Sequence, residues 1–124
     1  MIIPYSYSTQ HLANYDQVFK ICKEVAASIS SKYNTRYKIG NAFETVGYPV
    51  SGTSMGWVKA TYHVPFVLTF ELRDQGDQGF AISPSQITPT CQEIETGLLV
   101  LLTPRQRHMA QLVLYSSSQR KYLD

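Results

Sequence analysis

This chain is poor in the residues that declare a chemistry. Its 124 residues include only two cysteines, Cys22 and Cys91, far apart in sequence. That spacing excludes a metal-type or redox-type pair. Two ordinary buried thiols are the plainest account, and spacing cannot argue for or against a disulfide between them. Charged residues make up 16% of the chain and the net charge is +2. With no basic stripe, no nucleic-acid partner is implied. No apolar run approaches the roughly 18 residues that a membrane span needs. Met1-Ile2-Ile3-Pro4 has neither the charged nor the long apolar segment of a secretory leader. The three histidines, His11, His63 and His108, have no second His or carboxylate three or four residues on, so no local metal-ligand spacing exists and surface or core histidines are the default. Ser51-Gly52-Thr53-Ser54 does not match a nucleophile elbow. Phosphate loops, dinucleotide fingerprints and internal repeats are absent too.

What is present is a globular composition, 44% hydrophobic, sized for one domain. A chain this long can bury roughly two-thirds of its unfolded surface. Asn14 and Gln17 have capping-box spacing. Val18, Ile21, Cys22, Val25, Ala26 and Ile29 then recur at helical spacing, which predicts a helix with one apolar face laid on a sheet, stopped at Asn34. Tyr37-Lys38-Ile39 suits a short strand. Residues 40–54 read as a long loop punctuated by Gly40, Gly47, Pro49 and Gly52. Long loops in compact domains are usually functional or disordered, and Phe43 and Tyr48 argue against disorder. Thr53 or Ser54 can cap a short helix through Trp57 and Tyr62, and residues 64–72 read as a strand. A glycine-bearing turn, residues 75–79, follows. Thr90 and Glu93 suit a second capping box, opening a helix with Ile94, Leu98, Leu101 and Leu102 on its apolar face. From Thr103 the chain turns polar, and residues 103–124 are expected to be a poorly ordered tail.

Glu71 stands out. It follows Pro65-Phe66-Val67-Leu68-Thr69-Phe70, which reads as a buried strand. A carboxylate there is costly to bury unless it is paired, hydrogen-bonded or at work. Two readings stay open on pattern alone: a solvated strand end or structural Glu–Arg pair, and a tuned general base.

Three stretches then narrow the choice. Tyr48-Pro49-Val50-Ser51-Gly52-Thr53-Ser54 runs on to Trp57. Phe70-Glu71-Leu72-Arg73-Asp74 precedes Gly76, Gly79 and Phe80. Gln86-Ile87 is followed by Pro89-Thr90. Their order and spacing resemble the zinc metallocarboxypeptidases of the digestive A/B type, and Pro4-Tyr5-Ser6-Tyr7 resembles the segment just after that family's third zinc ligand. The match runs from about Met1 to Leu102, with one extra residue between Trp57 and Glu71.

The resemblance implies an α/β fold, a partial three-layer α/β/α mixed sheet with helices on its faces. It implies removal of one C-terminal residue from peptide or protein substrates by a secreted protein; neither a nucleic-acid nor a membrane partner is expected. Glu71 would match the general base that takes a proton from zinc-bound water and passes it to the leaving amine. Tyr48 would match the mobile tyrosine that binds the substrate's terminal carboxylate. Met55 would lie at the base of the side-chain pocket and favour an apolar or aromatic terminal residue. Phe43, Val50 and Thr69 would be pocket walls, and Phe80 would line the more distal substrate side. Arg73 and Asp74 would be structural, charges paired beneath the site. The family's zinc ligands, a His-x-x-Glu pair and a later His, match nothing from Met1 onward, and Gly56 replaces an Asp that usually precedes the Trp. Residues 1–102 are therefore expected to form the C-terminal portion of a catalytic domain, inactive and poorly folded alone. A peptide C-terminus binder, or a truncated product with no function of its own, is the alternative.

Overall fold

The computed structural model describes residues 1–103. The tail beyond Thr103, with His108, lies outside the described residues. The regular elements among them are helices: α1 (Tyr15–Tyr33), α2 (Ala42–Thr45), α3 (Ser54–Tyr62) and α4 (Ile87–Leu101), with a 3-10 turn at Pro84–Gln86 leading into α4.

The α1 stripe falls where helical spacing puts it. Val18, Ile21, Cys22, Val25 and Ile29 are buried, and the helix ends at Asn34 in the left-handed conformation, φ 56°, which Asn tolerates better than most residues. The start differs from expectation. Asn14 occupies the N-cap position, but its side chain makes no cap bond. Its Nδ2 donates instead to the Pro65 carbonyl at 2.7 Å, tying α1 to the extended segment beyond α3.

The expected strands reduce to single bridges. Ile2 pairs in parallel with Gly40 and antiparallel with Thr69. The Ile2 amide donates to Thr69 O at 2.8 Å, the Thr69 amide returns to Ile2 O at 3.1 Å, and the Ile3 amide donates to Gly40 O at 2.8 Å. Three extended segments thus lie side by side with Ile2 in the middle, in mixed sense. No continuous strand forms among the described residues, so the expected mixed sheet is present only as this short seam. Pro4 contributes to the shortness: it has no N–H with which to extend the ladder.

The seam still alternates between two faces. Met1 and Ile3 belong to a cluster with Tyr15, Val18, Cys22, Val25 and Ile29 of α1, and Phe66, Leu68 and Phe70 pack against it. Ile2 belongs to a second cluster with Ala42 and Met55, against which Val50 and Val67 pack. Odd and even positions part to opposite sides, as period-two backbone requires. Helix α1 covers one side, and α2 and α3 reach the other.

Helix α4 packs on α1 through a stripe foreseen at Leu101, which packs against the α1 cluster, but not elsewhere. Its buried residues are Thr90, Glu93 and Gly97, while Leu98 and Leu102 are exposed. A Cβ at Gly97 would lie 2.9 Å from Ile29 Cδ1 and 3.1 Å from Val25 Cγ1. The missing side chain lets the two helices approach. The Thr90–Glu93 capping box does not form, because α4 has already begun at Ile87. Thr90 Oγ1 donates to the Gln86 carbonyl at 2.6 Å. The cysteines also differ from expectation. Both are free, but only Cys22 is buried, and Cys91 is exposed. Burial pushes the Cys22 thiol up to about 12.

Candidate active site

The second face of the seam gathers several of the expected site residues. Thr53 caps α3 by accepting a bond from the Gly56 amide at 3.2 Å. That cap sets Met55 in the first turn, where it is 5% exposed, against Ile2 and Ala42. Thr69 Oγ1 lies 3.4 Å from the Met55 sulfur. Val50 packs against the same cluster, and its amide donates to Ser6 O at 2.9 Å, pinning the α2–α3 loop to the N-terminal segment. Met55, Thr69 and Val50 therefore meet. Phe43 is half-buried and is not one of this cluster; its neighbour Ala42 holds the wall. Of the residues missed by sequence, Ile2, Ala42 and Val67, Val67 carried a signal in its alternation, since it precedes Thr69 by one strand period.

Glu71 comes next in that period. Val67 and Thr69 face the Met55 side while Phe66, Leu68 and Phe70 face α1, so Glu71 follows in step with the Met55 face. It is exposed, not buried. It opens on a groove of about 1000 Å³ shared with Arg73, Lys38 and Gln86. Its exposure agrees with the solvated strand end, and Arg73 is paired with Glu93.

The backbone around Glu71 is held at both ends. Two residues before it, Thr69 is bonded to Ile2 in both directions. Two residues after it, Arg73 is clamped. Its Nε donates to Glu93 Oε2 at 3.1 Å, its Nη2 to the same oxygen, and its Nη1 to Gln86 Oε1 at 2.9 Å. Glu93 is fully buried and also accepts from Thr35 Oγ1 at 2.6 Å and Tyr37 Oη at 3.0 Å. Burial raises the Glu93 carboxyl, but the bonds from Thr35, Arg73 and Tyr37 outweigh it and leave the group below its ordinary value. Burial, then the bond to Glu93, raises Tyr37. Asp74 is not paired with Arg73. It accepts from the amides of Gly76 at 2.7 Å and Gln78 at 2.9 Å, closing the glycine-bearing turn.

The remaining expected residues are not brought in. Tyr48 is 60% exposed, on the loop after α2, and is not one of the residues lining the Glu71 groove. Phe80 is fully exposed. Among the described residues, no group of three His, Cys, Asp or Glu side chains could hold a metal ion, and no helix is long and apolar enough to cross a membrane.

The family model for zinc carboxypeptidase matches residues 1–97. This chain belongs to the zinc carboxypeptidase family. It is 34% identical over 104 residues to zinc carboxypeptidase A 1 of Anopheles gambiae, covering 82% of this chain and 24% of that protein. It is 35% identical over 102 residues to carboxypeptidase A1 of Bos taurus, again 82% of this chain and 24% of the relative. Among solved structures, it resembles bovine thrombin-activatable fibrinolysis inhibitor in complex with tick carboxypeptidase inhibitor. The TM-score is 0.73 at 28% identity, over 93% of this chain and 36% of that one. The chain thus spans about a quarter of the length of these zinc carboxypeptidase relatives.

Proposed function

We propose that these residues form the C-terminal portion of a metallocarboxypeptidase site that removes one apolar or aromatic residue from a peptide C-terminus. The supporting observation is the shared face: the apolar floor of Ile2, Met55 and Val67 lies on the side that Thr69 and Glu71 share by strand period. The terminal side chain of a substrate would rest on Met55, with Val50, Thr69 and the half-buried Phe43 as walls. A neutral floor leaves a cationic terminal residue unpaired, which discriminates far more than one methylene does. Glu71 would take a proton from the attacking water and return it to the leaving amine as the peptide bond breaks. Tyr48, exposed on its loop, would turn onto the substrate's terminal carboxylate, and Phe80 would meet the more distal residues. A secreted setting follows from the same resemblance.

The family implies a zinc ion. The described residues do not fit one, since no ligand set converges among them. The 124-residue chain by itself is therefore expected to bind such peptides without turning them over. The test is a graft of residues 1–97 in place of the matching segment of bovine carboxypeptidase A1. The graft should cleave peptides ending in Phe in preference to those ending in Lys. Met55→Asp should reverse that preference by on the order of 100-fold, since it places a carboxylate under the terminal side chain. An unchanged preference in M55D would refute the pocket assignment.

A further inference from the structure

Helix α2 carries a pocket wall and leads directly into the loop that bears Tyr48, yet it is only four residues long. A helix that short has no stability of its own. Something outside it must hold it: Lys38 Nζ donates to the Thr45 carbonyl at 3.2 Å, and the side-chain bonds toward the start of α1 converge on Glu44. The carboxylate closes a capping box: Asn41 Oδ1 accepts from the Glu44 amide at 3.0 Å while Glu44 Oε2 accepts from the Asn41 amide at 2.8 Å. The same Oε2 accepts from Tyr15 Oη at 2.7 Å, at the start of α1. The other oxygen, Oε1, lies 3.0 Å from His11 Nε2. His11 and Tyr15 stack face to face, ring centroids 3.6 Å apart, so both donors are presented as one plate. Gly40 leaves room for this arrangement: a Cβ there would lie 2.6 Å from Glu44 Oε2 and 2.7 Å from Glu44 Cβ.

We infer that Glu44 is a positioning residue for the pocket: by binding Asn41, Tyr15 and His11 at once, it fixes α2 against α1 and thereby seats Ala42 beside Met55. This rests on the pocket reading above for its consequence, though not for its geometry. Ala42 is fully buried against Ile2 and Met55. The α2 carbonyl of Ala42 also accepts from the amides of Val46 at 2.8 Å and Gly47 at 3.1 Å, so the place of Ala42 sets the exit direction of the Tyr48 loop. Burial raises the Glu44 carboxyl, but the bonds from Tyr15, Asn41 and His11 prevail and leave it below its ordinary value, which accords with an ionised hub.

The test uses methyl NMR on the full chain, ligand-free, followed by titration with a peptide ending in Phe. Glu44→Gln keeps a capping-box acceptor; Glu44→Ala removes it. Ala42–Met55 methyl contacts should be lost in E44A and retained in E44Q, with the Val25–Ile29 contacts on α1 unchanged in both. Peptide affinity should fall about tenfold in E44A, a loss of ~1.4 kcal/mol, and stay within about twofold of wild type in E44Q. Should E44A not fold, Gly40→Ala tests the same point by crowding the carboxylate, and should loosen the same Ala42 contacts. Retained Ala42–Met55 contacts in E44A or G40A overturn the positioning role. Lost contacts with undiminished affinity overturn its consequence for the pocket. A wild-type chain that binds no apolar-ended peptide counts against the pocket reading, while the methyl contacts still decide the role of Glu44.

Discussion

Two carboxylates, Glu71 and Glu93, divide between them what sequence assigned to one. Glu71 ends an apolar run, so the cost of burial seemed to fall on it. The structure exposes Glu71 on a groove and buries Glu93 completely. Glu93 receives Thr35, Tyr37 and the Arg73 guanidinium, so its charge is compensated in place. Glu71 stays open to solvent on the groove. The two duties are separate here: Glu93 locks the segment through Arg73, and Glu71, two residues from the lock, is left open on the groove.

Removing the buried member should have the largest effect. Glu93→Ala leaves Arg73 and two hydroxyls without their acceptor. Breaking a buried pair this way costs about 3–5 kcal/mol, which denaturant unfolding of the chain would register. A loss near zero would mean that the Arg73 clamp carries no stability. Acid should do the same thing more gently. Glu93 and Glu44 both sit below their ordinary value of 4.5 in the folded chain, so the stability they contribute is present above that value and is lost as pH falls through their lowered values. On the alkaline side, Cys22 is raised from 9.0 to about 12, so its contribution is intact below 9 and is lost as pH rises toward 12. Melting temperatures should therefore plateau between about pH 5 and 9 and fall on both sides. Constant stability down to pH 3 would show that the Glu93 bonds do not outweigh its burial.

A smaller effect is expected at the pocket's own support. Thr53→Ala deletes the α3 cap beneath Met55 and should cost about 1 kcal/mol, with a lowered affinity for apolar-ended peptides. The smallest stability effect belongs to Glu71. Glu71→Gln should stay within about 0.5 kcal/mol of wild type, as exposed substitutions usually do.

The parts of the fold legible in sequence were those governed by local rules. The α1 stripe, its stop at Asn34 and the Thr53 cap depend on nearest neighbours along the chain, and they stand as expected. Capping-box spacing was less informative, and three instances show why. Asn41 and Glu44 form the box, although the glycine-rich context concealed α2 within a presumed loop. Asn14 has the same spacing to Gln17, but its side chain is drawn off to Pro65. Thr90 and Glu93 have it too, but α4 has already begun at Ile87, and Glu93 is drawn to Arg73, which is distant in sequence. The pattern is a necessary local condition, and a stronger long-range partner overrides it. The same limit applied to the site. Met55, Val50 and Thr69 converge, but Ile2 enters through bridges to Gly40 and to Thr69, the latter 67 positions away, which no local spacing reveals.

The most direct test of Glu71 as the working carboxylate is Glu71→Gln in the bovine carboxypeptidase A1 graft, with turnover and unfolding measured on one preparation. A 10²–10⁴-fold loss of kcat is expected, about the share that a positioned general base supplies, with unfolding stability unchanged. Turnover within a few-fold of the unsubstituted graft would contradict it.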